Sequence, residues 1–88
     1  MKVQEWFAKK EFAKQGKKLY GDDVLAIFGE SEKAYHAIIG CFSTSITVWV
    51  PKSLCIGEEN DGKYNTTTYR CKNFNDAVAT IKWHIMND

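Results

Sequence analysis

The stretch "SITVWVPKSLC", residues 45–55, decides how the chain is organised. Ile46, Val48 and Val50 alternate with Thr47 and Trp49, the period-two pattern of a strand with one apolar face. The run then meets Pro51, the only proline in the chain. Proline has no N–H for a sheet ladder, and it holds the residue before it extended. The strand is therefore expected to bend at Pro51, with a turn or a short edge strand after it. Lys52 and Ser53 offer an ammonium and a hydroxyl at that corner. No glycine-rich loop precedes them and no helix N-terminus follows, so the amide nest of a phosphate site is missing. A corner with two solvated side chains is the simpler reading.

Upstream, "VLAIF" at 24–28 is apolar without alternation, as expected of a strand covered on both faces, and "AYHAIIGCF" at 34–42 is a further strand. Downstream, "GEENDGK" at 57–63 is a polar loop with an Asp-Gly turn signal, and "YNTTTYRC" at 64–71 alternates like a strand with one wet face. Helical segments flank this block. Residues 3–15 are rich in Ala, Glu, Gln and Lys, and Gly16 is a natural helix end. On a helical wheel Trp6, Phe12 and Ala13 share a broad face, while Lys10, Lys14 and Lys17 lie opposite with Phe7 among them. In "NFNDAVATIKWHIMND" the residues Phe74, Ala77, Val78, Ile81 and Ile85 follow helical spacing, with Asn73 as N-cap and Asp76 in the first turn. The expected fold is α+β: an antiparallel sheet of four or five strands packed by an N-terminal and a C-terminal helix.

Eighty-eight residues suffice for one domain, 1–88, and not for two. The 44% apolar fraction is that of a globular chain. No apolar run nears the roughly 18 residues needed to span a bilayer, so no membrane partner is expected. The opening "MKVQEWFAKKEF" lacks a signal-type apolar stretch, which points to a cytoplasmic protein. Cys41, Cys55 and Cys71 are odd in number and, with His36 and His84, match no zinc spacing; neither a disulfide framework nor a metal or other cofactor is expected. Net charge is only +1, but it is polarised: residues 1–21 carry +4 and residues 22–88 carry −3.

No catalytic constellation emerges. His36 lies in an apolar strand, and His84 lies near a helix end whose dipole favours a cation. The nucleophile candidates Cys41, Cys55, Cys71 and Ser53 have no base at a telling spacing, so the chain is read as not an enzyme. Two binding readings stay open. Phe7, Lys10, Lys14, Lys17 and Lys18 could serve single-stranded nucleic acid, phosphates on the lysines and bases on the ring; against this, a lysine face is usually just solvated, and Arg70 is the only arginine. Trp49, Tyr35, Tyr69 and Lys52 could serve a protein partner, since Trp and Tyr concentrate at energetic hot spots. Tyr64 adds to that supply. The competing account is that these rings fill a small core.

Glu30, Glu32, Lys33 and Ala34, followed by Trp49, Val50, Pro51, Lys52 and Ser53, resemble a Glu-x-Glu-Lys-Ala … Trp-(Ile/Val)-Pro-Lys-Ser pattern in small uncharacterised proteins of phages and mobile elements of Gram-positive bacteria. The resemblance covers under a third of the chain, and Leu54 and Cys55 stand where that pattern carries an acidic or amide side chain. It implies a provenance and no catalytic residue. The function it suggests is a non-catalytic inhibitor of a bacterial nucleic-acid-targeting defence, of the anti-CRISPR kind, acting by contact with a host protein or ribonucleoprotein complex. The alternative is an accessory protein binding single-stranded nucleic acid through the lysine helix.

Overall fold

A computed structural model describes residues 1–60 and 67–87. The elements run β1 (Lys2–Val3), α1 (Glu5–Lys14), β2 (Asp23–Glu30), β3 (Ala34–Cys41), β4 (Thr44–Pro51), a 3-10 turn (Lys52–Leu54), β5 (Cys55–Ile56), β6 (Tyr69–Arg70) and α2 (Phe74–Asn87). They form an α+β fold with a largely antiparallel sheet, ordered β4-β3-β2-β1-β5, and a helix at each end of the chain. Strands β2, β3 and β4 stand where the apolar patterns predict them.

Two strands depart from expectation. Residues 2–3, of which Val3 is assigned to the first helix by composition, form β1 instead, pairing with β2 through Lys2↔Asp23 and with β5 through Val3↔Cys55. Val3 is fully buried there, so its packing overrides local helix propensity. Among the described residues the strand expected at 64–71 is only Tyr69–Arg70, and it runs parallel to β2 rather than antiparallel. Residues 61–66, with the expected Asp61-Gly62 turn and Tyr64, lie outside the described residues.

The turn after Pro51 sets the shape of the sheet. Strands β4 and β5 are its two ends, yet only the 3-10 turn joins them. In a flat sheet four strand spacings would hold them about 19 Å apart. The chain from Pro51 to Cys55 can reach at most about 14 Å. The sheet must therefore curl. Strand β2 supplies bends, since its register with β3 slips between Val24 and Ala26 and between Ile27 and Gly29.

Helix α1 fills the concave side. Phe7, Ala8 and Phe12 pack with Val3, Val24, Ile39, Ile46 and Val50, and Leu54 and Cys55 close over them. Gly16, at φ 67°, ends the helix as predicted: its N–H donates to Ala13 O and that of Lys17 to Phe12 O, a Schellman closure. The wheel assignment of this helix is corrected. Phe7 and Ala8 face the core with Phe12, whereas Trp6 is 58% exposed and Ala13 is also exposed. The Gln4 N–H donates to Leu54 O, which ties the helix start to the turn and fixes this rotation.

Helix α2 lies on the convex side, over β2 and β6. Ala77 and Ile81 pack on Leu25, Ala26 and Ile38. Asn73 caps it as predicted: its Oδ1 accepts the Asp76 N–H at 2.9 Å, while the Asp76 carboxylate accepts the Lys72 N–H at 3.0 Å. Phe74 and Ile85, assigned to the packing face, are instead about half exposed, because they lie on the margin of α2 that faces the open groove toward β4. Ile81→Ala should cost about 2–4 kcal/mol, and Lys82→Ala under about 0.5 kcal/mol. Urea titrations of the two variants check the register, and equal losses would refute it.

Candidate functional site

Pro51 turns a corner that is held on both sides. Ala34 pairs with Pro51, and the Lys52 N–H donates to Lys33 O at 2.8 Å. The Lys52 ammonium reaches Glu30 at 2.5 Å, and Arg70 bonds Glu30 and Glu59. Residues 30–34 and 49–53 thus meet at one corner of the molecule. Lys52 and Arg70 stand 5.0 Å and 5.2 Å from the Tyr35 ring centroid. Hydrogen bonding from Lys52, with further help from Arg70, holds the Glu30 carboxyl below its ordinary range. A lowered carboxylate pKa stabilises the fold above the unfolded value, and the gain disappears as pH falls through the folded one. Glu30→Gln should therefore lower stability slightly at pH 7 and leave it unchanged near pH 2, as thermal melts at both pH values can measure.

A different surface opens on the convex side. Because α2 sits over β2 and β6 and reaches β3 at Ile38, it is the convex face of β4 that is left open among the described residues. Along β4 that face carries Ser45, Thr47 and Trp49, opposite Ile46, Val48 and Val50, as the alternation predicts. Trp49 is 50% exposed. Its indole stacks flat on the His36 ring, with centroids 4.4 Å apart and planes at 10°. His36 in turn meets Phe28 at 4.3 Å, and Phe28 meets Phe74 at the start of α2 at 5.4 Å. A row of four rings therefore joins the edge strand to α2. Beside it a groove of about 330 Å³ runs between α2 and β4. From the sheet it is lined by Ile38, Phe42, Ser45, Ile46 and Thr47, and from α2 by Phe74, Val78, Ile81 and Ile85. Across the β4 edge, Lys17 Nζ donates to Ser45 O at 2.9 Å and Gln15 Nε2 to Thr47 O at 3.3 Å. These bonds occupy ladder groups that an edge strand would otherwise present.

The four residues predicted for a protein partner do not share one surface. Trp49 belongs to the convex row. Tyr35 and Lys52 sit at the Pro51 corner, where Tyr35 packs against the concave core. Tyr69 is half-buried under α2, stacked on His84 at 4.5 Å. Of the residues predicted for nucleic acid, Lys10, Lys14, Lys17 and Lys18 are exposed. Phe7 is corrected: it is 7% exposed in the concave core and offers no face to a base. Trp6 stands outward in its stead, on the helix face shared with Lys9, Lys10 and Ala13. Lys9 and Lys14 are paired with Glu5 and Glu11, and Lys18 lies over the exposed Tyr20 ring at 5.5 Å.

The thiols bond to serine, threonine or backbone groups rather than to either histidine: Cys41 to Ser43, Cys55 to Pro51 O, and Cys71 to Tyr69 O and Thr80. Burial pushes the Cys55 and Cys71 thiols up. Burial pushes Cys41 up too, but hydrogen bonds from the Ser43 hydroxyl and the amides of the β3–β4 turn outweigh it and leave its pKa lowered. Cys41 should therefore alkylate fastest of the three with iodoacetamide at pH 7.5, because the thiolate is the reacting form. Peptide mass mapping of a timed reaction reads the order. Among the described residues, no cluster of three or more His, Cys, Asp or Glu side chains could hold a metal ion, and no helix is long and apolar enough to cross a membrane.

Comparison with known proteins returns no match: no family model, no curated protein and no solved structure matches the chain.

Proposed function

We propose that this protein is a non-catalytic binding module that acts by protein–protein contact through the open convex face centred on Trp49. The observation that carries the reading is a half-exposed tryptophan held flat by His36, on the part of the convex face over β4 that α2 leaves open. A ring fixed in one orientation loses little conformational freedom on binding, which suits a hot-spot anchor. The partner class is a host protein or ribonucleoprotein complex, and inhibition of a bacterial nucleic-acid-targeting defence is the concrete form, in keeping with the resemblance of residues 30–34 and 49–53. The test is recovery of a partner from bacterial lysate with and without nuclease, by the native chain and by Trp49→Ala. A nuclease-resistant partner that Trp49→Ala no longer retains supports the reading; a partner retained equally by both rejects it.

A second reading is favoured by Trp6, exposed between lysines on the outer face of α1. There the protein binds single-stranded nucleic acid, with phosphates on Lys10, Lys14 and Lys17 and a base stacked on Trp6. Changing the three lysines together to Gln should then weaken oligonucleotide binding and flatten the salt slope by roughly 0.7 for each phosphate no longer neutralised. Trp6→Ala should weaken it without altering that slope. Fluorescence anisotropy across a salt series reads both, and an unchanged slope in the triple variant dismisses this reading.

A further inference from the structure

The convex groove has a chemistry of its own. Its α2 wall presents Phe74, Val78 and Ile85, and its sheet side mixes Phe42 with the hydroxyls of Ser45 and Thr47. The ionisable side chains among its described lining residues are Lys17 on one rim and Lys82 on the other; none of those residues carries a carboxylate. Both lysines are exposed. The free edge of β4 beside the groove is engaged at Ser45 O and Thr47 O by Lys17 and Gln15, and Pro51 brings no N–H to it. An added strand is therefore disfavoured there. The open position is beside α2, where a second helix would extend the convex layer over β4.

We propose that this groove takes an amphipathic helix with an acidic polar face, supplied by the partner protein. The inference rests on the protein-contact reading above and names the partner's chemistry. Apolar side chains at i, i+3 or i+4, and i+7 of the incoming helix enter against Phe42, Phe74, Val78 and Ile85, the mode by which helices dock in hydrophobic grooves. Carboxylates flanking that stripe meet Lys17 and Lys82. The ring row at Phe74, Phe28, His36 and Trp49 continues past one end of the groove, so the same partner can engage both.

The probe is a labelled synthetic helix with leucine at the anchor positions and glutamate elsewhere, beside a twin carrying lysine for glutamate. Titrated into the full chain, the acidic helix should bind saturably and the basic twin should not. Backbone amide shifts should concentrate at 38–47 and 74–85. Lys17→Glu with Lys82→Glu should weaken the acidic helix by about tenfold or more and confer binding of the basic twin. If that pair perturbs the fold by circular dichroism, Lys17→Gln with Lys82→Gln takes its place, with weakening of the acidic helix alone expected. No binding, binding indifferent to charge, or shifts centred elsewhere overturns the proposal. So does displacement of the helix by a single-stranded oligonucleotide, or a concentration-dependent dimer that buries the groove. A Trp49-dependent partner recovered from lysate while the acidic helix fails would remove the groove and leave the protein-contact reading standing. Helix binding with a partner indifferent to Trp49 would do the reverse.

Discussion

Gly40→Ala should be the most damaging single-methyl change in the chain, costing about 3–5 kcal/mol. Gly40 lies in β3 opposite Ser45, at φ 130°, where side-chain-bearing residues rarely sit. A Cβ there would come 2.5 Å from Thr44 O, 2.9 Å from Phe12 Cζ and 3.0 Å from Ser45 Cα. Two of those atoms are backbone of the paired strand and cannot swing away. The third is the tip of Phe12, the largest of the fully buried side chains at 1% exposed. Backbone strain and overpacking therefore act together, and the loss is a large share of the roughly 5–15 kcal/mol that holds a domain folded. Gly16 is the internal control. It too has positive φ, at 67°, but nothing lies within 4 Å of its added Cβ. Gly16→Ala should cost only the left-handed penalty, about 1–2 kcal/mol. Urea midpoints for the two variants give the comparison. Equal losses would mean that the close approach of Phe12 and β4 to Gly40 is not as described.

That close approach shows what the sequence can and cannot reveal. Period-two alternation at 46–50 places Trp49 opposite the core side of β4, and the two-sided apolar run at 24–28 already requires cover on both faces. Asn73 and Asp76 mark the start of α2 through chemistry confined to a few neighbouring residues. The rotation of α1 is not legible in the same way. Its wheel allows two apolar arcs, one through Trp6 and Ala13 and one through Phe7 and Ala8, and both include Phe12. The choice is made by β1 and by the Gln4 bond to Leu54, partners far apart in sequence that no local window brings together. The parallel pairing of β6 is equally non-local. The groove combines side chains from α2, β3, β4 and the end of α1, and no local pattern announces a cavity between elements. The short strand before the helix leaves one local trace: Val3, flanked by Lys2 and Gln4, alternates where a helix would not require it.

Trp49→Ala should separate binding from folding more cleanly than any other change. Trp49 is on the edge strand and half its surface meets water, so its removal leaves no sealed cavity. What the fold loses is one ring stack and part of one aromatic burial, about 1–2 kcal/mol in all. What a protein partner loses is far greater if the ring is its anchor: about 2–4 kcal/mol, or roughly thirtyfold to a thousandfold in affinity. The mismatch between the two figures is the diagnostic. Circular dichroism should show the native fold with a small drop in midpoint, while calorimetric titration of the partner shows near-complete loss. Trp49→Phe should recover much of both, because a phenyl ring can still lie on His36. His36→Ala gives the complementary result: the indole remains but is no longer held flat, so affinity should fall less than with Trp49→Ala and mainly through a faster off-rate. If Trp49→Ala binds as tightly as the native chain, the convex row is a packing feature of the edge strand, and the anchor of any partner must be sought on the lysine and Trp6 face of α1.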